Sequence, residues 1–324
     1  MGKAIQIDRF GGPEVLEWRE VEIAPPGPGE VLVRHKAVGL NFIDTYHRSG
    51  LYPLEFPAGL GTEAAGEVLA VGPQVQALQV GDRVGWLGLP PGAYAEERLY
   101  AADRLVKLPA DISDQTAAAS LLKGLTAWYL LHRSYRAQAG DTVLLYAAAG
   151  GVGLLTAQWA ASLGVRVIGV ASTAEKAALA LASGCSDVIA ADDSEFVARV
   201  RDLTHGEGVA AVYDSVGKDT FFQSLDCLRT HGTMVSFGNA SGAVEPFSPM
   251  ELARRGSLFL TRPAVFDFIR TRAELEAATA ALFAALQSGA ITVRVNQSYP
   301  LREAARAHQD LEARRTTGSS LLLP

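Results

Sequence analysis

Residues 148–153 read Ala-Ala-Gly-Gly-Val-Gly, which fits G-x-G-x-x-G with Ala148 in the first position. The chemistry of that spacing is phosphate binding. Gly150 lets the backbone approach a pyrophosphate with no Cβ in the way, and Gly153 lets the next helix pack closely on a sheet. Free amides at the helix start, and its positive dipole end, then face the phosphates. Alone, the motif also describes a tight βα turn. Its context decides: Thr142-Val143-Leu144-Leu145-Tyr146 is a buried strand, and Val152, Leu155, Trp159, Ala160 and Leu163 recur at helical spacing until Gly164. With the next strand, Val165 to Val170, this is a complete βαβ unit. Residues 146–153 are therefore expected to hold the pyrophosphate of a nicotinamide dinucleotide.

The end of the second strand selects the dinucleotide. An NAD site usually carries Asp or Glu there for the ribose 2′-hydroxyl. Here the strand ends Val170-Ala171-Ser172-Thr173, with no acid at its tip. Ser172-Thr173-Ala174-Glu175 reads as a capping box, which occupies Glu175 at a helix N-terminus. Lys176 lies just beyond. Hydroxyls and an ammonium attract a 2′-phosphate that a carboxylate would repel. The expectation is NADPH, although a lysine at that position is also an ordinary solvated one.

These residues need a frame. Residues 1–110 read as short strands, including Val31 to Arg34 and Glu67 to Val71, punctuated by Gly11-Gly12-Pro13, residues 25–29 and Gly81-Asp82. A helical stretch follows over 113–135, with Ser113 as its cap. Strands at 142–146, 165–170, 187–189, 209–213, 234–237 and 258–260 make six in β-α alternation, a doubly wound parallel sheet. A long helix near 272–288 and a short β segment close the chain. The expected domains are 1–123, 124–263 and a return to the first over 264–324.

The chain has 324 residues, 48% hydrophobic and 20% charged, which suits about two globular domains. Its net charge of −6 argues against binding a nucleic-acid backbone. The two cysteines, Cys185 and Cys227, offer no disulfide framework or metal knuckle and read as buried thiols. The strand-like start lacks the apolar core of a signal peptide, and Gly2 lacks the partner residue of a myristoylation site. No apolar run reaches the length of a membrane span. The expectation is a soluble cytoplasmic protein.

Several runs carry a resemblance. Gly61-Thr62-Glu63-Ala64-Ala65-Gly66-Glu67-Val68, Gly81-Asp82-Arg83-Val84 and Gly92-Ala93-Tyr94-Ala95-Glu96 resemble the signature of the quinone oxidoreductases. So do Asn41 to Tyr46, Lys123 to Thr126, Val212 to Gly217, Phe237 to Asn239 and Thr261 to Pro263. These enzymes are the ζ-crystallin-like, zinc-free branch of the medium-chain dehydrogenase/reductase superfamily, and the likeness to their bacterial NADPH:quinone reductases runs from Gly11 to Ser320. It implies an α/β fold, with a GroES-like β-rich catalytic domain and a Rossmann six-stranded parallel sheet. It also implies a homodimer joined through those sheets. Zinc enzymes of the superfamily place Cys where this chain has Asn41 and His where it has Thr62. An amide and a hydroxyl are poor zinc ligands, and two cysteines cannot build a four-cysteine structural site. The expectation is a metal-free site.

A quinone accepts hydride readily, so the protein must mainly align it and stabilise developing oxyanion character. The resemblance implies Asn41 and Tyr46 as donors, with Tyr52 closing the pocket and Asp44 orienting Tyr46 or a water. From the residues alone, Asn41 equally holds a turn, and Tyr46 and Tyr52 equally pack. Lys123 sits among apolar residues and is expected to snorkel unless it lies near the cofactor, as the resemblance implies. The resemblance further places Phe42, Ile43, Asp44, Thr45, Tyr46, Thr126, Tyr129, Gly150, Gly151, Val152, Gly153, Ser172, Thr173, Lys176, Ser215, Gly238, Asn239, Ala240, Ser241, Gly242, Pro263, Ala264, Val265 and Arg314 around NADPH. Ala190-Ala191 departs from the Asn-Tyr of similar chains, which puts a contact to the adenosine end in doubt. Three functions follow in order: quinone reduction, reduction of α,β-unsaturated carbonyls, and non-enzymatic NADPH or RNA binding. No Arg/Lys-rich aromatic face supports the last.

Overall fold

The computed structural model describes residues 1–324, which divide into two units. One unit holds Met1–Lys123, Ile269–Ala284 and Val293–Pro324; the other holds Gly124–Phe268 and Ala285–Thr292.

The first unit opens with β1 (Gly2–Ile7), β2 (Glu17–Val21) and β3 (Glu30–Leu40), then helix α1 (Phe42–Ser49). Next come β4 (Ala58–Gly59), β5 (Glu63–Val71), β6 (Arg83–Leu87), β7 (Glu97–Ala101) and β8 (Val106–Lys107). Along β3 the buried positions Val31, Val33, His35 and Ala37 alternate with less buried ones, the period of a strand with one face on a core. Helix α2 (Asp114–Tyr129) begins in this unit and ends in the other, continuing as one π turn over Leu130–Ser134. Its cap is the expected one: the Ser113 hydroxyl accepts the Thr116 backbone N–H at 3.0 Å.

The second unit runs β9 (Thr142–Leu145), α3 (Gly151–Ser162), β10 (Arg166–Ala171), α4 (Ala174–Leu181), β11 (Asp187–Ala190) and α5 (Phe196–Leu203). It continues β12 (Val209–Asp214), α6 (Phe221–Asp226), β13 (Leu228–Ser236), α7 (Met250–Arg254) and β14 (Phe259–Thr261). Every pairing is parallel, in the order β11-β10-β9-β12-β13-β14, so the doubly wound six-stranded sheet expected from the alternation is present. Its central strands are mostly apolar and deeply buried, as in a sheet covered on both faces; all six residues of β12 are buried, its terminal Asp214 included. Cys185 and Cys227 are buried, and burial pushes each thiol up to about 12.

The chain then forms α8 (Arg272–Gln287), β15 (Val295–Pro300), α9 (Ala304–Glu312) and β16 (Ser319–Leu323). The last three complete the first unit. Its large sheet runs β15-β16-β3-β5-β6-β8, with β7 on β3, beside a small sheet β2-β1-β4. The sequence reading returns the chain at residue 264. Residues 264–268 and 285–292 instead belong to the second unit. Two contacts hold them there: Phe268 stacks on Tyr129 at 4.9 Å, and Thr292 donates to the Gln158 side-chain oxygen at 2.8 Å through both N–H and hydroxyl.

Candidate active site

In the second unit the residues singled out from sequence gather where strands end. Gly150 to Gly153 follow β9, Ser172 to Lys176 follow β10, Ser215 follows β12, Gly238 to Gly242 follow β13 and Pro263 to Val265 follow β14. The order reverses between β9 and β12, so the glycine turn lies at the topological switch point, where doubly wound sheets bind ligands. The outer glycines of the turn differ in what surrounds them. A Cβ on Gly153 would fall 2.3 Å from the Ala147 carbonyl oxygen and 2.7 Å from the Ala148 carbonyl carbon. A Cβ on Gly150 would meet only the Ala147 oxygen, at 3.2 Å, and otherwise project into open space. Ala147 itself is held at φ 49°, a left-handed conformation rare for a residue with a side chain.

The cap of α4 lies one residue later than the sequence reading has it. The N-cap is Thr173, whose hydroxyl accepts the Lys176 backbone N–H at 3.3 Å. Ser172 is left exposed at the tip of β10. Glu175 still serves the helix start: its own backbone N–H and then the Thr173 hydroxyl hold its carboxyl below the usual range. The tip of β10 thus carries two hydroxyls, and Lys176 follows half-buried in the first turn.

The neighbouring loops are bound together by residues that sequence reasoning missed. Asp214 accepts the Val216 and Gly217 N–H groups at 2.7 and 3.1 Å with one oxygen. Its other oxygen accepts the Thr220 and Ser224 hydroxyls at 2.7 and 3.0 Å. The loop after β13 is tied to that turn by Ala240 N–H to Ser215 oxygen (3.1 Å) and Ser241 N–H to Val216 oxygen (2.8 Å). With its amide oriented to suit its neighbours, Asn239 accepts from Arg262 at 3.3 Å, and Arg262 also donates to the Pro263 carbonyl at 3.1 Å.

In the first unit, α1 carries Phe42 to Tyr46. Asn41 is its N-cap, and Asp44 at N3 accepts the Asn41 backbone N–H at 2.9 Å, one arm of a capping box. The Asn41 side chain donates to Glu63 at 2.9 Å and, at the long limit of 3.5 Å, to the Gly39 carbonyl. Its donor capacity is thereby largely engaged by the protein. Glu63, fully buried, also accepts the Leu122 N–H at 2.7 Å and pairs with Lys123 at 3.3 Å. Lys123 does not snorkel: it is 5% exposed, and its ammonium meets a buried carboxylate. The Tyr46 ring lies edge-on to Tyr52 at 5.4 Å and 6.4 Å from Phe42. Arg314 is exposed just beyond α9, at φ 58°.

Asp44 was expected to orient Tyr46 or a water; its carboxylate is instead engaged by Asn41, by the Thr62 hydroxyl at 3.0 Å and by the Tyr94 hydroxyl at 2.9 Å. The contacts continue from Tyr94 to His308 at 3.0 Å, from His308 to Arg48 at 3.0 Å, and from Arg48 to Glu312 at 2.5 and 3.1 Å. Burial pushes the Asp44 carboxyl up to about 7 against the pull of these donors, first among them the Asn41 N–H. Burial, with help from the Arg48 charge, pushes His308 down to about 3, so its ring is neutral. His308 and Tyr94 are 214 residues apart, and no local spacing reveals such a pair. Only the Asn41-x-x-Asp44 spacing, which the structure shows to be a capping box, could have pointed to this cluster.

Two family models match, one described as a zinc-binding dehydrogenase over residues 151–284 and one as an alcohol dehydrogenase GroES-like domain over residues 27–110. The first range contains neither Asn41 nor Thr62. A quinone oxidoreductase of Pseudomonas aeruginosa is 51% identical over 325 residues, with both chains covered in full. A 2-haloacrylate reductase of a Burkholderia species is 46% identical, over 100% of this chain and 99% of the relative. The crystal structure of Escherichia coli quinone oxidoreductase complexed with NADPH matches with a TM-score of 0.97 at 49% identity, over 99% of this chain and 100% of that one. Strand order, the two matched domains and full-length identity agree: the chain is an oxidoreductase and belongs to the quinone oxidoreductase family of the medium-chain dehydrogenase/reductase superfamily.

Proposed function

We propose that the protein is a cytoplasmic, metal-free, NADPH-dependent quinone reductase. The observation that carries this reading is the pair Asn41 and Thr62. An amide and a hydroxyl are donors, and both are committed to buried carboxylates, Glu63 and Asp44. Neither supplies the thiolate or imidazole that zinc needs. A substrate here must already be electrophilic, as a quinone is.

NADPH fits the second unit. The open backbone at Gly150 and the start of α3 suit a pyrophosphate, and the acid-free tip of β10 with Lys176 suits a 2′-phosphate. The solved relative's NADPH supports the same choice. The bound cofactor would supply a hydride. The chain's own residues then bind and orient: the clasped loops after β12 and β13 fix one wall of the cofactor site, and Tyr46 supplies a phenol able to donate to a developing oxyanion. Asn41 and Asp44 hold the start of α1 that carries Tyr46.

A second reading, reduction of an activated alkene, is favoured by the 46% identical 2-haloacrylate reductase. The same hydride transfer serves both. A screen of NADPH oxidation over quinones, enones, haloacrylates and aldehydes separates them. Quinone turnover without added metal, in protein free of stoichiometric zinc, is the expected result. Aldehyde turnover that needs zinc sinks the proposal. For the cofactor, Lys176→Glu is expected to weaken NADPH about tenfold, with little change for NADH, on the usual worth of a charge-assisted contact to phosphate. Equal dissociation constants for both cofactors in the unmodified protein would refute NADPH preference. The free edge of β14, where Phe259 is 61% and Leu260 38% exposed, supports a homodimer through the parallel sheets.

A further inference from the structure

A buried line of side chains joins α9 to the start of α1, and its hydrogen bonds run one way. Arginine has no acceptor, so Arg48 donates to Nδ1 of His308 at 3.0 Å. That fixes the neutral ring with its proton on Nε2, which donates to the Tyr94 oxygen at 3.0 Å. The Tyr94 hydroxyl then has its own proton left for Asp44, at 2.9 Å. Asp44, Tyr94 and His308 are each fully buried, and Arg48 is 3% exposed. Glu312, 38% exposed, holds the guanidinium at the far end, and the Gly11 carbonyl accepts from it at 3.0 Å. Chains of like-directed donors polarise one another, and more so away from water.

We propose that Arg48, His308 and Tyr94 are positioning residues of the reaction: a one-way donor line that keeps Asp44 an acceptor and so fixes Asn41, Thr62 and the start of α1. This rests on the reading of α1 as the helix that presents Tyr46 to substrate. A protonated Asp44 could not accept from the Asn41 N–H, Thr62 and Tyr94 all at once. The Thr62 hydroxyl, alone on the second carboxyl oxygen, would have to turn and accept the proton, and the contact that ties α1 to Thr62 would reverse. Of the charged groups around Asp44, the Lys123 ammonium also favours its ionised form, alongside the donor line. Lys123 on α2 is engaged by Glu63 on β5, and Glu312 on α9 faces Arg48 rather than Asp44.

The test uses the full chain and four forms: unmodified, Tyr94→Phe, His308→Leu and His308→Gln. Glutamine offers an oxygen to Arg48 and an N–H to Tyr94, so it can rebuild the line; leucine cannot. The Asp44 carboxyl carbon is followed by NMR across pH in the folded protein without substrate, and turnover and the KM for NADPH are measured in parallel. In Tyr94→Phe and His308→Leu the Asp44 midpoint is expected to rise by about one unit. Turnover at neutral pH should fall about tenfold at unchanged KM for NADPH, as for a loss felt in the transition state. His308→Gln should recover most of both. An Asp44 midpoint common to all four forms overturns the proposal. So does a glutamine variant as displaced as the leucine one, or a moved midpoint with undiminished turnover. If the unmodified protein reduces neither quinones nor alkenes, the function reading fails, and a midpoint that still follows the variants shows the line intact.

Discussion

Asp44 gathers the buried polar contacts at the start of α1 in one side chain. It is fully buried, it caps α1, and it accepts from Thr62 and Tyr94. Burial lifts its carboxyl to about 7, above the unfolded value of 3.8. The sign of the consequence is fixed. Between those values the folded state holds a proton that the unfolded state has released, so stability falls as pH rises through that window. The slope from one group is at most about 1.4 kcal/mol per pH unit. Asp44→Asn removes the titration. The melting-temperature advantage of the unmodified protein over Asp44→Asn should therefore shrink from pH 5 to about pH 7 and level off above it, read by calorimetry. A difference flat across that range means that Asp44 titrates as an ordinary carboxylate. Residues of this kind were half legible in the sequence. Asn41 and Asp44 entered through the family resemblance, but Tyr94 and His308 reach Asp44 only through tertiary packing.

At the level of elements the sequence was far more legible, because periodicity and turn chemistry are local. The six parallel strands and their helices followed from apolar runs separated by helical spacing, and the Ser113 cap from residue type. The cap of α4 slipped by one because Ser172 and Thr173 are both good caps. Pattern alone cannot tell where β10 stops. The β9–α3 turn allows a sharper test, since its two outer glycines do different things. Gly153 has no room for a Cβ against backbone atoms at 2.3 and 2.7 Å, whereas Gly150 meets one atom at 3.2 Å. Gly153→Val should lower the melting temperature by several degrees and cost cofactor binding as well, since overpacking typically costs about 1–3 kcal/mol. Gly150→Val should leave the melting temperature nearly unchanged and weaken NADPH at least tenfold, on the proposed approach of the pyrophosphate to that residue. Calorimetry with fluorescence titration of NADPH separates the two. Equal effects of both substitutions on both readouts contradict the assigned roles.

For the whole molecule, the return of the C-terminal segment follows from a simple argument: six parallel strands already complete the sheet, so the last strands must pair elsewhere. The place of the crossing was not legible, because what retains residues 264–268 and 285–292 is contact at a distance, as between Phe268 and Tyr129. The same sheet leaves an open end. β14 is three residues long, pairs only with β13, and exposes Phe259 and Leu260. An unprotected apolar edge invites a second chain, and proteins that stay monomeric blunt such edges with charge, proline or a cover. Two copies related by a two-fold axis would bring the same edge to itself, the isologous arrangement most common among soluble dimers. Apolar side chains at that axis are met twice, so a charge introduced there is also met twice. Phe259→Lys should therefore convert a dimer to a monomer in sedimentation equilibrium at micromolar concentration. It should leave NADPH affinity within about twofold, since the substitution sits on the strand and not in the loops that follow β9, β10, β12 and β13. A monomeric unmodified protein, or a variant that remains dimeric, rules out this edge as the interface.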